Sequence, residues 1–190
     1  MKKAALRKKY LEKRRTLSRD EVLTLSEAVF RNFITHFKFS AGQKIHIFLS
    51  IAKFNEVNTA LFLDYFRNNG IRIFVPKVVG NKLISVEITQ STPFETSKWG
   101  IDEPVGNTDA GISDYDYVIT PLLYCDRSGN RVGYGKGFYD GFFSTVLPTV
   151  RKIGIGFFSP QEPVEDTDEF DVPLDYLVTP VEILSFSGLE

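Results

Sequence analysis

The chain has 190 residues, 43% of them hydrophobic, which is enough for one sizeable core and predicts a single domain over residues 1–190. Its formal net charge of −1 argues against bulk attraction to nucleic acid or to an anionic membrane. The single cysteine, Cys125, excludes an intrachain disulfide, and no apolar run is long enough to span a membrane, so we expect a protein of the reducing cytoplasm.

Positive charge is concentrated at the amino terminus, where residues 1–19 contain nine lysines and arginines and one acid, Glu12. Residues 2–16 lack Gly and Pro and should form a helix. Lys3, Arg7 and Arg14 recur at intervals of four and seven, which places them along one helical face. This face is either a simply solvated basic surface or a surface that meets a bound anion.

Strands and helices alternate through the rest of the chain, with short connections typical of a parallel α/β sheet. The segment 89–110 is irregular and contains the only tryptophan, Trp99, and long segments of this kind are often functional. The predicted elements are a helix from a capping box at Ser18 and Glu21 to about His36, a strand at 44–50, a helix at 59–69 capped by Asn58, a strand at 71–75 ended by Pro76, strands at 82–88 and 115–120, a helix at 138–147, and strands at 151–157, 176–179 and 183–186.

The most informative stretch is 126–140, DRSGNRVGYGKGFYD, which has glycines at 133, 135 and 137 and the fixed cations Arg131 and Lys136. Glycine lets backbone N–H groups approach a ligand closely, so this loop suits a phosphate, although similar loops also serve as plain turns. It follows a predicted strand, and ligands of open α/β sheets bind at the carboxyl ends of strands. Ser50 and Glu56 follow another strand and should face the same crevice.

A magnesium site is a second possibility, because Asp140 with Asp171 or Asp175 could hold the ion through oxygen. Asp140 could equally interact only with the amino terminus of its own helix. The two histidines lack partners for nucleophilic catalysis and are expected in the core or on the surface. Fixed cations with magnesium and no evident nucleophile favour phosphoryl transfer, so the residues themselves indicate a nucleotide or phosphate enzyme.

Five motifs in order resemble the 5-formyltetrahydrofolate cyclo-ligase family, also called methenyltetrahydrofolate synthetase, over essentially the whole chain. The motifs are KKAALR at the start, FLS followed by EVNT from Glu56, WGIDEP from Trp99, GNRVGYGKGFYD from Gly129, and the final VPLDYLVTP. The resemblance implies a three-layer α/β/α sandwich with a mostly parallel central sheet. It also implies an ATP- and Mg²⁺-dependent reaction in which the formyl oxygen of 5-formyltetrahydrofolate is phosphorylated, nitrogen 10 attacks, and 5,10-methenyltetrahydrofolate, ADP and phosphate are formed.

The family's functional residues are carried over by position. Arg131, Lys136 and Tyr139 would act in catalysis, and Asp140 and Asp175 would hold magnesium. Tyr134 stands where some members have arginine, which would shift charge stabilisation to Lys136 and Arg131. The ATP-binding residues would be Lys3, Ala4, Ala5, Leu6, Arg7, Arg131, Val132, Gly133, Tyr134, Gly135, Lys136, Gly137, Phe138 and Tyr139, and the folate-binding residues Leu49, Glu56, Trp99, Tyr134, Gly135, Lys136, Gly137 and Phe138.

Two rival hypotheses stay open from the sequence. A sugar-phosphate isomerase or CoA-transferase-like enzyme on a similar sheet would need no ATP, and a nucleic-acid binder would use the basic residues 1–19. The family resemblance instead implies small-molecule substrates, no nucleic-acid or membrane partner, and a monomer or weak homodimer.

Overall fold

The computed structural model describes residues 1–96 and 102–186 and is organised around a seven-stranded sheet. Within these residues the helices are α1 (Lys3–Arg15), α2 (Arg19–His36), α3 (Ala60–Asn68) and α4 (Phe138–Phe143). In the same part of the chain the strands are β1 (Lys44–Ile47), β2 (Arg72–Val79), β3 (Lys82–Ile88), β4 (Phe94–Thr96), β5 (Asp102–Pro104), β6 (Tyr117–Pro121), β7 (Tyr124–Cys125), β8 (Arg131–Val132), β9 (Arg151–Ile155), β10 (Tyr176–Val178) and β11 (Ile183–Ser185).

The main sheet has the order β11-β10-β9-β6-β1-β2-β3. Its five inner strands are parallel to one another, and β3 and β11 pair antiparallel at the two edges. Parallel strands require crossover connections, which put helices on the sheet faces. The mostly parallel α/β fold is therefore confirmed.

Alternating strand residues bury against helices on opposite faces of the sheet. Ile45 and Ile119 belong to the core formed with α2 and α3, whereas Phe74 belongs to the core formed with α4. His46 points to the α4 face, where its ring lies 4.5 Å from that of Phe142, and burial lowers the pKa of His46 to about 3. His46 is thus a neutral core residue, as the sequence suggested. With helices on both faces of the sheet, the fold has three layers.

The boundaries of β2 and α4 differ most from the sequence prediction. β2 continues through Pro76 to Val79. Proline has no backbone N–H to donate, but beyond Phe74 the strand pairs only with β3, so no hydrogen bond to β1 is lost. α4 ends at Phe143 instead of 147, with the next residues forming turns. The predicted capping box of α2 is present, since Ser18 accepts the Glu21 N–H and Glu21 accepts the Ser18 N–H.

Helix α1 packs beside the small hairpin β7–β8. Leu6 and Tyr10 are fully buried there, and the Tyr10 ring stacks on Tyr124 with centroids 4.2 Å apart. β8 leads directly into the glycine loop, so this packing brings the basic helix alongside the loop. None of the helices in residues 1–96 and 102–186 is long and apolar enough to cross a bilayer.

Candidate active site

A cleft of about 880 Å³ opens at the carboxyl ends of the parallel strands. Its walls include Phe48 after β1, Pro76 in β2 and Pro121 at the end of β6, together with the glycine loop. The volume is in the range of small-molecule sites, and the position is where open α/β sheets bind ligands. The cleft is therefore the candidate active site.

The glycine loop has the backbone conformation that its sequence predicts. Gly135 and Gly137 have φ angles of +85° and +67°, values that side-chain-bearing residues rarely adopt. Arg7 of α1 lies against the loop, where its Nε donates to the Gly133 carbonyl at 2.8 Å. A Cβ on Gly135 would lie 3.0 Å from the Arg7 guanidinium carbon, so any other residue there would push the guanidinium from its place.

Two ion pairs line the same end of the cleft. Lys3 of α1 pairs with Asp171, and Arg131 pairs with Asp140 at 2.5 Å. Asp140 also accepts the Val172 N–H at 3.2 Å, which joins the loop to the chain segment before β10. Burial lowers the pKa of Arg131, whereas the negative charge of Asp140 raises it. The guanidinium stays charged in either case. The cations are thus held in place by carboxylates that border the same space.

Lys136 stands apart from these pairs. It is exposed on the glycine loop and lines the cleft, and within the described residues it forms no ion pair. An unpaired ammonium on a loop of close-approaching backbone is well suited to meet an incoming anion.

At the other end of the cleft lies Glu56, which is only 4% exposed. Its Oε1 accepts the Tyr134 hydroxyl at 2.7 Å, and its Oε2 accepts the Ile51 N–H at 2.7 Å. Burial raises the pKa of Glu56, while these two hydrogen bonds and the charge of Arg14 oppose the rise. A carboxylate has about four acceptor sites, so it can still receive donors from a ligand.

Two further predicted residues border the cleft. Leu49 follows β1, and Tyr139 opens α4. The Tyr139 hydroxyl is buried and has no hydrogen-bond partner among residues 1–96 and 102–186, and burial raises the pKa of this phenol, so it is a neutral donor. An unpartnered buried hydroxyl at a cleft is available to a bound ligand.

The first helix contributes fewer residues than the sequence comparison implied. Lys3 and Arg7 line the cleft, but Ala4 and Ala5 are exposed elsewhere on α1 and Leu6 faces the core. A helix turns by about 100° per residue, so only residues three or four apart share a face. The structure therefore does not bring these three side chains to the cleft, and their part in ATP binding stays a prediction.

Asp175 is not brought to the cleft. It immediately precedes β10 and therefore lies at the amino end of that strand, where it pairs with Lys152 at 3.0 Å and accepts the Lys152 N–H at 2.7 Å. Of the two partners proposed for Asp140, the structure brings Asp171 to the cleft instead. Ser50 likewise turns away from the cleft, as its Oγ accepts the Thr59 N–H.

Trp99 lies outside the described residues. The nearby hairpin β4–β5 borders the cleft through Asp102 and Glu103, so part of the irregular segment 89–110 does reach the site.

Apart from Asp171, sequence reasoning missed the stretch 165–171, in which Asp168, Glu169 and Phe170 also border the cleft. The signal was available, because five of these seven residues are acidic and the first helix is basic. The stretch indeed contacts α1: Asp166 accepts the Lys3 N–H at the helix amino terminus, and Asp171 pairs with the Lys3 ammonium.

The carboxylates of this region fit magnesium only if a bound ligand supplies further oxygen atoms to the ion. Within residues 1–96 and 102–186 no three His, Cys, Asp or Glu side chains are grouped to hold an ion by themselves. Magnesium at phosphoryl-transfer sites is commonly held by one or two carboxylates and by the substrate's phosphates. Asp140 and Asp171 suit that manner of binding, in which the ion arrives with a nucleotide.

Comparison with known proteins gives one consistent result. The model of the 5-formyltetrahydrofolate cyclo-ligase family matches residues 1–180. The 5-formyltetrahydrofolate cyclo-ligase of Mus musculus is 28% identical over 189 residues, which is 91% of each chain, and that of Mycoplasma pneumoniae is 28% identical over 94% of this chain and 98% of its own. The NMR structure of Aquifex aeolicus 5,10-methenyltetrahydrofolate synthetase aligns with a TM-score of 0.81 at 28% identity, covering 100% of this chain and 95% of the other.

Proposed function

Because the chain belongs to the 5-formyltetrahydrofolate cyclo-ligase family, we propose that it converts 5-formyltetrahydrofolate to 5,10-methenyltetrahydrofolate with consumption of ATP. The formyl oxygen attacks the γ-phosphorus of ATP and ADP leaves. Nitrogen 10 then attacks the activated formyl carbon and loses its proton to solvent, and the carbon–oxygen bond to the phosphate breaks. One ring, one ADP and one phosphate are formed.

The observation that carries this proposal is that one cleft has the cationic glycine loop at one end and the buried carboxylate of Glu56 at the other. The loop that bears Lys136 also bears Tyr134, whose hydroxyl donates to Glu56 at 2.7 Å. A ligand whose phosphate lies on the loop and a second ligand that reaches Glu56 would therefore meet along one short segment of chain. Phosphoryl transfer between two substrates requires such an arrangement.

Each side chain has a role that follows from its surroundings. Lys136 and Arg131 neutralise the phosphates, while backbone N–H groups of the loop orient them. Glu56 accepts paired donors of the pterin ring, and Leu49 packs against its flat surface. Tyr139 donates its unpartnered hydroxyl to the transferring group.

Magnesium, bound through Asp140 and Asp171 together with the phosphates, would add positive charge where negative charge develops. Lys3 would then be free to pair with a phosphate instead of with Asp171. ATP and Mg²⁺ thus form part of this proposal together.

The test is direct. Purified protein with 5-formyltetrahydrofolate, ATP and Mg²⁺ should develop the ultraviolet absorbance of the methenyl product, and omission of ATP or addition of EDTA should abolish it. No absorbance change from folded protein contradicts the proposed function. Turnover of a sugar phosphate or an acyl-CoA without ATP would instead favour the rival enzyme class.

The nucleic-acid alternative rested on the basic face of α1. Lys3, Arg7 and Arg14 are turned toward the acidic segment, the glycine loop and the protein interior respectively. These three cations do not form an open basic stripe, but Lys8 and Arg15 of the same helix are exposed, so nucleic-acid binding by the basic residues 1–19 stays a hypothesis.

A further inference from the structure

Arg14 is the third cation of the α1 face. It is only 3% exposed and lies three turns along the helix from Lys3, about 16 Å away. In the described part of the chain no carboxylate lies within ion-pair distance of its guanidinium, and its Nε has no hydrogen-bond partner. Burying such a charge costs free energy unless something compensates it.

The charge of Arg14 is compensated through the phenol of Tyr134. Arg14 donates through one terminal nitrogen to the Tyr134 hydroxyl, and that hydroxyl donates to Glu56 Oε1 at 2.7 Å. The guanidinium carbon lies 5.5 Å from the Tyr134 ring centroid, and its other terminal nitrogen donates to the Leu122 carbonyl at 3.3 Å. A buried cation and a buried carboxylate therefore share one bridging hydroxyl, and each bond polarises the next.

Backbone carbonyls at the carboxyl end of α1 also bind the segment that carries Glu56. Asn55, with the left-handed φ of +48°, donates its side-chain amide to the carbonyls of Arg14 and Leu17 at 3.0 and 2.9 Å. The residue next to Glu56 is thus tied to the helix from which Arg14 projects. Glu56 borders the cleft, whereas Arg14 does not, so Arg14 cannot act on a ligand directly.

We propose that Arg14 is a positioning residue for the Glu56 end of the site, where it fixes the Tyr134 hydroxyl and thereby keeps the Glu56 carboxylate aimed at the cleft. This inference rests on the proposed function in so far as the ligand at Glu56 is the folate. It assigns to α1 a part in binding both substrates, through Lys3 and Arg7 at one end and through Arg14 at the other.

Arg14→Met removes the charge but keeps much of the side chain's length. The KM for 5-formyltetrahydrofolate should rise by about ten- to a hundredfold, while the KM for ATP should change by less than about twofold. Arg14→Lys should recover much of the loss. Arg15→Met, which removes an exposed cation from the next position, is the matched control and should behave as the wild type.

Equal increases in both KM values, or an unchanged folate KM, would overturn the proposal. If Arg14→Met does not fold, Tyr134→Phe tests the same chain of contacts without removing the buried charge. It should raise the folate KM selectively, and the milder double variant Arg14→Lys/Tyr134→Phe should be no worse than Tyr134→Phe alone. Additive effects would count against the bridge.

The pH dependence gives a readout that a merely structural role would not move. The groups that face Glu56 are Arg14, Tyr134, Tyr139 and the Ile51 N–H, and burial raises the pKa of both phenols, so neither ionises near neutral pH. Loss of the Arg14 charge should raise the pKa of Glu56 further. Folate affinity should then begin to fall at a higher pH in Arg14→Met than in the wild type as the solution is acidified.

A measurement on the ligand-free protein separates this proposal from the proposed function. The Glu56 carboxyl, followed by carbon-13 NMR, should titrate at higher pH in Arg14→Met than in the wild type or Arg15→Met. An unshifted titration would overturn the role of Arg14 even if the enzyme makes the methenyl product. A shifted titration would support it even if the wild type made none.

Discussion

At the glycine-loop end of the cleft, cations and carboxylates meet in direct pairs, Lys3 with Asp171 and Arg131 with Asp140, and both carboxylates are partly exposed. At the Glu56 end, the carboxylate and the guanidinium of Arg14 are both buried and are separated by the Tyr134 hydroxyl. Partly exposed ion pairs contribute little and can change partners, whereas a buried network keeps one geometry. We therefore expect the first end to rearrange around phosphates and the second to receive its ligand with little change.

The largest effect that tests this contrast is expected at Lys136. Lys136→Ala should lower kcat by about 10² to 10³-fold, because the unpaired ammonium stabilises charge that develops during transfer. The free energy of unfolding should be unchanged, since the side chain is exposed and makes no ion pair in the described residues. Initial rates and urea unfolding measure both, with exposed Lys82→Ala as control. Near-normal turnover would remove Lys136 from the mechanism.

A smaller and differently distributed effect is expected at the buried end. Glu56→Gln should raise the KM for 5-formyltetrahydrofolate by about ten- to a hundredfold with little change in the KM for ATP, because the amide cannot accept paired donors. The variant should be less stable than the wild type, because the buried charge of Arg14 loses the carboxylate that compensates it through the Tyr134 hydroxyl. A rise in the KM for ATP would show that the two ends are not separate.

The smallest effect concerns the backbone that joins the ends. Gly135→Ala should lower the free energy of unfolding by about 1–2 kcal/mol, because φ is +85° and the new Cβ would press on Arg7. Gly141→Ala in α4 is the matched control, where a Cβ meets nothing within 4 Å and alanine favours the helix. Urea unfolding of the two variants should therefore give changes of opposite sign. Equal stability of both variants would contradict the loop geometry.

The sheet was predictable because periodicity and composition are local properties. β1, β3, α1 and α2 were recognised within a few residues, but the passage of β2 through Pro76 depended on which neighbour each edge of the strand meets. A sequence does not display that pairing. The loop conformation was predictable for the same local reason, since glycine at 135 and 137 permits positive φ.

The site was predictable only where one element determines it. The sequence placed Lys3, Arg7 and Arg14 on one face, but could not say whether that face is covered, because its partners are more than a hundred residues away. The position of Asp175, in contrast, could be predicted from one element alone. A residue directly before a parallel strand must lie at the amino edge of the sheet. That rule is sufficient to expect Asp175 away from the cleft, which leaves Asp171 as the partner of Asp140 that borders it.

The placement of α1 also has a consequence for the order of folding. Its contacts with Asp171, Gly133 and Leu122 span 168, 126 and 108 residues of chain. During synthesis the amino-terminal helix emerges first, yet every one of these contacts must wait for segments that follow much later. Contacts of such long range close slowly because of their loop entropy. The sheet can therefore assemble before α1 docks, and the appearance of substrate binding during refolding should lag behind the burial of the core.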